Sequence, residues 1–371
     1  MNNANQNVFF ELLRAGLWES DARLSQFEQI DYMEVMRLAE EQSVVGLVTA
    51  GIEHVKDGKV PQDVSLQLIG ETLQLEQQNQ TMNRFIGRLV EDMRGKGIYS
   101  LLLKGQGIAQ CYERPSWRAS GDVDFLLSKE NYDKAKDYLL PLASSSENEY
   151  AYNQHLSMTI EDWVVELHGS LRSGLSSRVD QVTDEIKKDV IYGGNVRSWM
   201  NGKTQVFLLG IDCDVIFVFI HFLKHFYKEG LGLRQVCDWC RLLWTYRDSL
   251  NHGLLEKRIR RMGLVSEWKA FGAFAVEYLG MPSEAMPFYS PDNKWKRKAN
   301  KICAFILEVG NMGQNRDMSH FSKYPYLIRK CVSMSRRIGD LINHARIFPL
   351  DSLRFFPRIM FNGVRSAIRG E

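Results

Sequence analysis

Three short apolar runs interrupt a chain whose other segments have the residue spacing of helices. The runs are "YSLLL", "DVDFLL" and "EDWVVELHGS", which are short enough to be buried strands. Over residues 8–97, and again after about Arg178, apolar residues recur at the three- and four-residue spacing of helices. An amphipathic segment, "KENYDKAKDYLLPL", separates the second run from the third, and "NQHLSMTI" is a candidate hairpin partner of the third. This order of patterns predicts an α+β fold in which a compact sheet lies between two helical parts.

The same changes of pattern predict four regions along the 371 residues. They are a helical N-terminal region at 1–97, an α/β core at 98–175, a helical domain at 176–320 and a basic helical tail at 321–371. A chain of this length has room for two domains, or for one domain with a large helical extension.

The composition, with 44% hydrophobic and 25% charged residues, is typical of a soluble globular protein. The formal net charge of +2 favours neither the presence nor the absence of a polyanionic partner. The longest apolar run, "GIDCDVIFVFIHFLKHF", contains charged residues and is too short to span a membrane, and the N-terminal sequence lacks the features of a secretory signal. We therefore expect a cytoplasmic protein without a transmembrane segment.

The six cysteines are scattered along the chain, which suits reduced thiols better than a disulfide framework. One pair, Cys237 and Cys240, has the CxxC spacing of zinc ligands, and His221 and His225 lie near it in the sequence. A zinc site is therefore one alternative. We favour core cysteines, because a four-ligand zinc site usually shows two clear ligand pairs that flank short loops.

The second apolar run begins with two acidic residues, Asp122 and Asp124. Alternation along a strand directs both carboxylates to one face, about 7 Å apart or less, and places Val123 and Phe125 on the other face. Two carboxylates at this distance repel each other unless a cation lies between them. Glu166 adds a carboxylate in the middle of the third run, where burial without a partner is costly. If these strands are neighbours, the three acids converge and favour a site for one or two Mg²⁺ (or Mn²⁺) ions.

Lys104 and Gly105 end the first apolar run and are candidates for phosphate contact. A glycine there lets backbone N–H groups come close to a phosphate at the start of a helix, where anions are attracted. Arg118, four residues before Asp122, is placed to contact a phosphate or to pair with one of the acids. These flanking residues matter because an isolated Asp-x-Asp is more often a capping or turn feature than a set of ligands.

Together these residues resemble the signature of a bacterial nucleotidyltransferase family, which is similar to the wider polymerase-beta-like nucleotidyltransferase superfamily. The matching elements are Lys104-Gly105, Tyr112, Pro115, Arg118, Asp122-x-Asp124 and Glu166-Leu167-His168, in the pattern "KG … Y … P … R … DxD … (D/E)LH". A weaker likeness follows in a segment with two histidines, an arginine and an aspartate, which here are His221, His225, Arg234 and Asp238.

The resemblance implies a small mixed sheet, with helices before it and a helical domain after it that walls the cleft. It implies transfer of a nucleoside monophosphate from a nucleoside triphosphate (NTP) to an unknown hydroxyl acceptor, with release of pyrophosphate. Asp122 and Asp124 would hold the metal ions, and Glu166, the third acid, would orient or deprotonate the acceptor hydroxyl. The residues implied in nucleotide binding are Lys104, Gly105, Gln106, Arg118 and His168. Gly105 would open the phosphate-binding turn. His168 has a second interpretation, in which it is a hydrogen-bond partner of the acids.

Gln106 departs from the superfamily, which usually has Ser or Gly after this glycine. A bulky amide there would alter triphosphate binding, so a second interpretation is a catalytically impaired nucleotidyltransferase fold that acts as a binding or regulatory module. A third is a glycosyltransferase in which Asp-x-Asp holds a metal and a sugar nucleotide. The third fits less well, because a long doubly wound stretch is expected where this chain is mostly helical.

The four downstream residues have two interpretations. His221 and His225 lie on one helix face at i, i+4, and Asp238 is placed to accept a hydrogen bond from either, which favours a buried polar network joining two helices. The other interpretation is that these residues and Arg234 position the nucleotide or the acceptor.

The tail from Lys323 to Glu371 has ten Lys or Arg residues, three Asp or Glu residues and interleaved phenylalanines, Phe348, Phe355, Phe356 and Phe361. One interpretation is a basic and aromatic surface for a peripheral membrane or nucleic-acid contact. The helical spacing favours the other, a peripheral helix pair whose phenylalanines pack on the body.

Overall fold

The computed structural model describes residues 3–150, 154–315 and 326–369. The α-helices, in chain order, are α1 (Asn3–Trp18), α2 (Tyr32–Glu41), α3 (Val45–Glu53), α4 (Gln62–Gly95), α5 (Gly105–Ala109), α6 (Lys129–Leu139), α7 (Ser177–Ile191), α8 (Ile211–Lys228), α9 (Leu233–Thr245), α10 (His252–Met262), α11 (Val265–Glu277), α12 (Asn293–Val309), α13 (Tyr326–Ile347) and α14 (Pro349–Arg369). The strands are β1 (Ser100–Leu103), β2 (Asp122–Leu127), β3 (Ser145–Ser146), β4 (His155–Ile160), β5 (Trp163–His168), β6 (Val196–Asn201) and β7 (Thr204–Leu209). These elements confirm the predicted α+β class, with helical parts on both sides of the sheet.

The N-terminal helices pack at very short range. A Cβ atom on Gly16 of α1 would lie 1.8 Å from the carbonyl oxygen of Leu47, and one on Gly51 of α3 would lie 2.0 Å from that of Leu12. Both positions therefore need glycine, because any side chain would push the two backbones apart. The 34-residue α4 then runs from this helical cluster to the sheet. The helical N-terminal part is thus as the sequence predicted.

The strands of the described residues form one mixed sheet in the order β3-β4-β5-β2-β1-β7-β6. β2 is antiparallel to β1 and parallel to β5, and β4 is the antiparallel hairpin partner of β5, as predicted. The β6–β7 hairpin was not predicted, and it lies beyond the segment 98–175 assigned to the core. Its outer strand β6 alternates between exposed and half-buried residues and has no apolar run, so the sequence contained only a weak strand signal there.

The two faces of the central strands have different roles. One face carries Val123, Phe125, Val165 and Leu167, which are buried against apolar residues of α4 and α6. Because side chains alternate along a strand, the intervening residues of β2 and β5 point to the other face. That second face is covered in part by the C-terminal helices and contains the polar residues described below.

The C-terminal helices enclose a second, aromatic core. Phe219 and Phe222 of α8 contact Trp239 of α9, and Phe219 also contacts Trp268 of α11. The long apolar run of α8 is therefore buried in protein. No helix in the described ranges has a stretch that is both long enough and apolar enough to cross a bilayer.

The cysteines of the described side chains are free and buried, and they are Cys111, Cys213, Cys237, Cys240 and Cys303. Cys237 and Cys240 lie inside α9, and burial raises the pKa of both thiols. In the ranges that the structure describes, neither belongs to a group of side chains that converges on a common metal position. This placement fits the core cysteines that we favoured over a zinc site.

The C-terminal helix pair packs on the body through part of its aromatic and basic residues. Phe348 and Phe355 are buried, whereas Phe361 is exposed. Arg354 donates to the carbonyl oxygen of Met262, and Arg358 pairs with Asp180, so these two cations face the protein. Residues 321–325, the start of the predicted basic tail, lie outside the described residues.

Candidate active site

Three carboxylates converge on the face of the sheet that points away from α4. β2 and β5 are parallel, and their register places Asp124 directly across from Glu166. Asp122 precedes Asp124 by two residues and therefore points to the same face. One carboxylate oxygen from each of the three lies within 4.8 Å of the others. The structure thus brings together the three acids that the sequence predicted to meet.

Lys104 lies among these acids. Its Nζ is 3.0 Å from Asp124 Oδ2 and 3.5 Å from His221 Nε2. Burial, the largest single effect, opposes its charge, but Asp124 and Asp122 hold the pKa of Lys104 above its ordinary value. Lys104 (φ 51°) and Gly105 (φ 44°) both have positive φ, which is rare for lysine. The backbone therefore turns at Gly105, where α5 begins, and binding of phosphate there stays a prediction.

Asp124 is the most buried of the three acids, at 1% exposure. His168 Nε2 lies 2.7 Å from its Oδ1, whereas its Oδ2 accepts no hydrogen bond of good geometry from the described residues, although Lys104 is near. Burial raises the pKa of Asp124, and Lys104 offsets this only in part. A second cation beside Asp124 would satisfy this carboxylate. The oxygen-only donor set of the three acids fits a divalent ion such as Mg²⁺.

The acids lie at a cleft of about 630 Å³ between the sheet and the C-terminal helices. The predicted site residues that line it are Lys104, Gly105, Arg118, Asp122, Glu166, His168, His221, His225, Arg234 and Asp238. Asp124 does not line the cleft itself but contacts Lys104 and His168, which do. Residues far apart in the sequence therefore meet around one cavity.

Gln106 is the exception among the predicted nucleotide-binding residues. Its side chain is buried and donates a hydrogen bond to Asn79 Oδ1 of α4 at 2.7 Å. Asn79 in turn donates to the carbonyl oxygens of Ser116 and Arg118. The amide of Gln106 therefore points into the protein and does not line the cleft. It supports the loop before β2, and its bulk does not occupy the cleft.

Arg118 pairs with Asp238 of α9, not with the acids of β2. The guanidinium donates to both carboxylate oxygens, at 2.8 Å and 2.7 Å, and Tyr112 donates to the same carboxylate at 2.8 Å. The expectation that Asp238 accepts from His221 or His225 was wrong, because its carboxylate is committed to these two partners. Tyr112 and Arg118 of the sequence signature therefore connect the sheet to the helical domain.

His221 and His225 instead form a hydrogen-bonded chain with Glu229 along the cleft wall. Their Nε2 atoms are 3.1 Å apart, and His225 Nδ1 lies 2.7 Å from Glu229 Oε2. Burial, with the charges of Lys104 and His225, holds the pKa of His221 well below its ordinary value. Burial favours the protonated form of Glu229, but His225 outweighs it and lowers the pKa of Glu229 to about 2.

Two cleft cations have no carboxylate partner within salt-bridge distance among the described residues, and they are Lys224 and Arg234. Arg234 donates a hydrogen bond to the carbonyl oxygen of Ala119 at 2.7 Å. Its buried Nε has no hydrogen-bond partner among the residues that the structure describes. Burial lowers the pKa of Arg234. An anion in the cleft would compensate both cations. Sequence reasoning missed Lys224, although it lies three residues after His221 on the same helix.

His155 and Glu229 were also missed. His155 lies in β4 directly opposite His168 of β5, and its Nε2 is 3.1 Å from Glu166 Oε2. The predicted hairpin pairs "NQHLSMTI", which contains His155, with the strand of Glu166. The sequence did not show the register of this hairpin, and so it did not show that His155 lies beside Glu166. Glu229 directly follows the last residue of α8. Its i, i+4 spacing to His225 could have identified it from the sequence.

Comparison with known proteins agrees with this site. Residues 28–280 match the profile of a family described as "Uncharacterised nucleotidyltransferase". The matched range includes the whole cleft-facing part of the sheet as well as α8 and α9. No curated protein and no solved structure matches the chain significantly. Since the family match spans more than half of the sequence, the chain belongs to this nucleotidyltransferase family.

Proposed function

We propose that the protein transfers a nucleoside monophosphate from a metal-bound NTP to a hydroxyl acceptor and releases pyrophosphate. The observation that carries this proposal is the convergence of Asp122, Asp124 and Glu166 beside a cleft that also holds two cations with no carboxylate partner in the described part of the chain. Transfer of a phosphoryl group depends mainly on positioning and on electrostatic stabilisation. The family assignment supports the same class of reaction.

Asp122, Asp124 and Glu166 would hold one or two divalent ions, with Mg²⁺ favoured by the oxygen ligands. When bound, such ions neutralise charge on the phosphoryl group and on the leaving pyrophosphate. The burial of Asp124 fixes its carboxylate in one position and excludes water from it. The protein thereby supplies a rigid anionic site at one edge of the cleft.

Lys104, Lys224 and Arg234 would bind the triphosphate. Lys104 is held between Asp124 and His221, so its ammonium is already placed beside the metal ligands. Lys224 and Arg234 lie on the helical wall of the cleft and have no carboxylate partner among the described residues. A guanidinium can form two parallel hydrogen bonds to a phosphate, which makes Arg234 the stronger candidate. Arg118 is less suited, since Asp238 already neutralises it.

The chain of His221, His225 and Glu229 would position the acceptor. The two histidines lie on α8 and Glu229 directly follows it, on the cleft wall that faces the acids of the sheet. His221 is the member nearest to the acids, because its Nε2 contacts Lys104 Nζ. An acceptor hydroxyl held there would be available for attack on a phosphate bound at Lys104. A screen of small molecules, nucleic acids and proteins would identify the acceptor.

The alternative of a catalytically impaired module rested on Gln106. The side chain of Gln106 lies outside the cleft and is hydrogen-bonded to Asn79. The feature that favoured the alternative is therefore absent from the place where triphosphate would bind. We retain the transferase as the better-supported function.

Calorimetric titration of ATP, GTP, CTP and UTP with Mg²⁺ tests the proposal. We expect the wild type to bind at least one nucleotide only when Mg²⁺ is present, and we expect the Asp122→Asn/Asp124→Asn variant to lose this binding. Asp133→Asn/Asp137→Asn, on the exposed side of α6, is the matched control and should bind as the wild type does. Binding that persists in the Asp122→Asn/Asp124→Asn variant would contradict the proposed metal site.

A further inference from the structure

Two histidines and a glutamate form a second cluster at the edge of the cleft. His155 of β4 and His168 of β5 are paired across the two strands, and their ring centroids are 4.7 Å apart. Both Nε2 atoms approach one oxygen, Oε2 of Glu166, at 3.1 Å and 3.3 Å, and His168 Nε2 is also 2.7 Å from Asp124 Oδ1. All three side chains point into the cleft. The cluster is therefore built by the register of one hairpin.

The geometry of this cluster suits a metal ion. One ligand atom from each of His155, Glu166 and His168 lies within 4.8 Å of the others, so an ion placed among them could reach all three with small side-chain rotations. Metal–nitrogen and metal–oxygen bonds in such sites are about 2.0–2.2 Å long. Neighbouring strands hold the three Cα positions, so the site does not depend on a flexible loop.

The chemistry of the donors differs from that of the neighbouring acids. Imidazole nitrogen favours Zn²⁺ and other late transition metals, whereas an oxygen-only set favours Mg²⁺. Two histidines and one carboxylate leave coordination positions open, as in sites where zinc binds a substrate or a water molecule. The side chains of His155, Glu166 and His168 are 25%, 23% and 17% exposed, so an ion could enter from the cleft.

We propose that His155, Glu166 and His168 form a distinct site for an imidazole-favouring divalent ion of the Zn²⁺ class. The site shares Glu166 with the three-acid cluster but does not require Asp122. It goes beyond the proposed function, which needs only ions with oxygen ligands, and metal binding there does not depend on nucleotide transfer. The second ion would lie on the β4 side of the acids, where it faces the open cleft.

Co²⁺ is the probe, because its visible absorption reports nitrogen ligands and a low coordination number. We expect wild-type protein to give a Co²⁺ spectrum that Zn²⁺ abolishes by displacement. His155→Ala should weaken Co²⁺ binding by more than about 100-fold, because even outer-shell partners of metal ligands are worth about 10–100-fold in affinity. Asp122→Asn should keep the spectrum. His252→Ala, which removes an exposed histidine of α10, is the matched control and should be unchanged.

The inference is overturned if Co²⁺ gives no such spectrum, or if His155→Ala and His252→Ala bind Co²⁺ equally well. It is also overturned if Asp122→Asn abolishes the spectrum in a protein whose circular dichroism is that of the wild type. Nucleotide titration on the same samples separates the two proposals. A normal Co²⁺ site without Mg²⁺-dependent NTP binding would contradict the transferase and support the metal site.

Discussion

Arg118 of the loop before β2 and Asp238 of α9 form a bidentate ion pair in which both side chains are buried. Tyr112 donates to the same carboxylate, and Asn79 of α4 holds the carbonyl oxygen of Arg118. The loop that leads to Asp122 is therefore fixed to the sheet's covering helix on one side and to the helical domain on the other. These contacts join the two walls of the cleft next to the acids.

Removing one partner of this pair should destabilise the whole protein. We expect Asp238→Ala to lower the free energy of unfolding by about 3–5 kcal/mol, because it leaves a buried guanidinium without its counter-charge. Urea or guanidinium denaturation followed by circular dichroism measures this change. Glu185→Ala is the matched control, since it removes an ion pair with Arg261 in which both side chains are about half-exposed. Such a pair is worth about 0–1 kcal/mol. Equal losses of stability in the two variants would contradict the stabilising role that we assign to the ion pair of Asp238 with Arg118.

Gln106→Leu should affect stability and not nucleotide binding. The substitution removes the donor to Asn79 Oδ1 in a buried position, which costs about 1–3 kcal/mol in the free energy of unfolding. The affinity for Mg²⁺–NTP should stay within experimental error of the wild type, because the side chain does not line the cleft. Calorimetry and denaturation on the same preparation measure both quantities. A changed nucleotide affinity with unchanged stability would restore the interpretation in which Gln106 controls triphosphate binding.

Arg234→Ala should weaken nucleotide binding by about tenfold to a hundredfold, since a hydrogen bond to a charged group is worth about 1.5–3 kcal/mol. The loss should shrink as the phosphate chain of the ligand is shortened from NTP to NMP, because the proposed contact is with the triphosphate. Arg260→Ala, on the exposed face of α10, is the control. Calorimetric affinities for the three forms of one nucleotide provide the readout. An equal loss for NTP and NMP would place Arg234 elsewhere in the site.

Glu267 predicts a pH dependence of stability. It is 0% exposed, and burial, together with the charge of Asp351, raises its pKa well above the ordinary value of 4.5. The folded state therefore binds a proton that the unfolded state releases, so the free energy of unfolding falls as the pH rises above 4.5 towards the folded-state pKa.

Glu267→Gln should remove this slope, because the amide carries no charge and its oxygen can still accept the hydrogen bond from Tyr227. We expect the variant to gain stability relative to the wild type as the pH rises from about 5 to about 8. Denaturation midpoints across this range measure the effect, with exposed Glu284→Gln as the control. Parallel curves for wild type and Glu267→Gln would show that Glu267 does not titrate in this range.

The sequence predicted which residues belong to the site better than it predicted which side chains they contact. Asp122 and Asp124 open an apolar run, and Glu166 interrupts another, so both strands followed from the local pattern. Alternation also placed Asp122 and Asp124 on one face, but it did not show that the two strands are neighbours. The pairing of Arg118 with Asp238 did not follow, because it depends on how α9 packs against the sheet over a separation of 120 residues. His155 was missed for a related reason, since its place beside His168 depends on a hairpin register that alternation alone does not fix.

The most direct measurement follows the label from an NTP carrying a radioactive phosphate at either the α or the γ position. The nucleotide that binds by calorimetry is incubated with Mg²⁺, the protein and fractions of small molecules, nucleic acids and proteins. A nucleotidyltransferase should transfer the α label to an acceptor and leave the γ label in pyrophosphate, and the Asp122→Asn/Asp124→Asn variant should transfer neither. Transfer of the γ label alone would show a kinase-type reaction and contradict the proposed function. Transfer of the α label by the double variant would contradict the role assigned to the two aspartates.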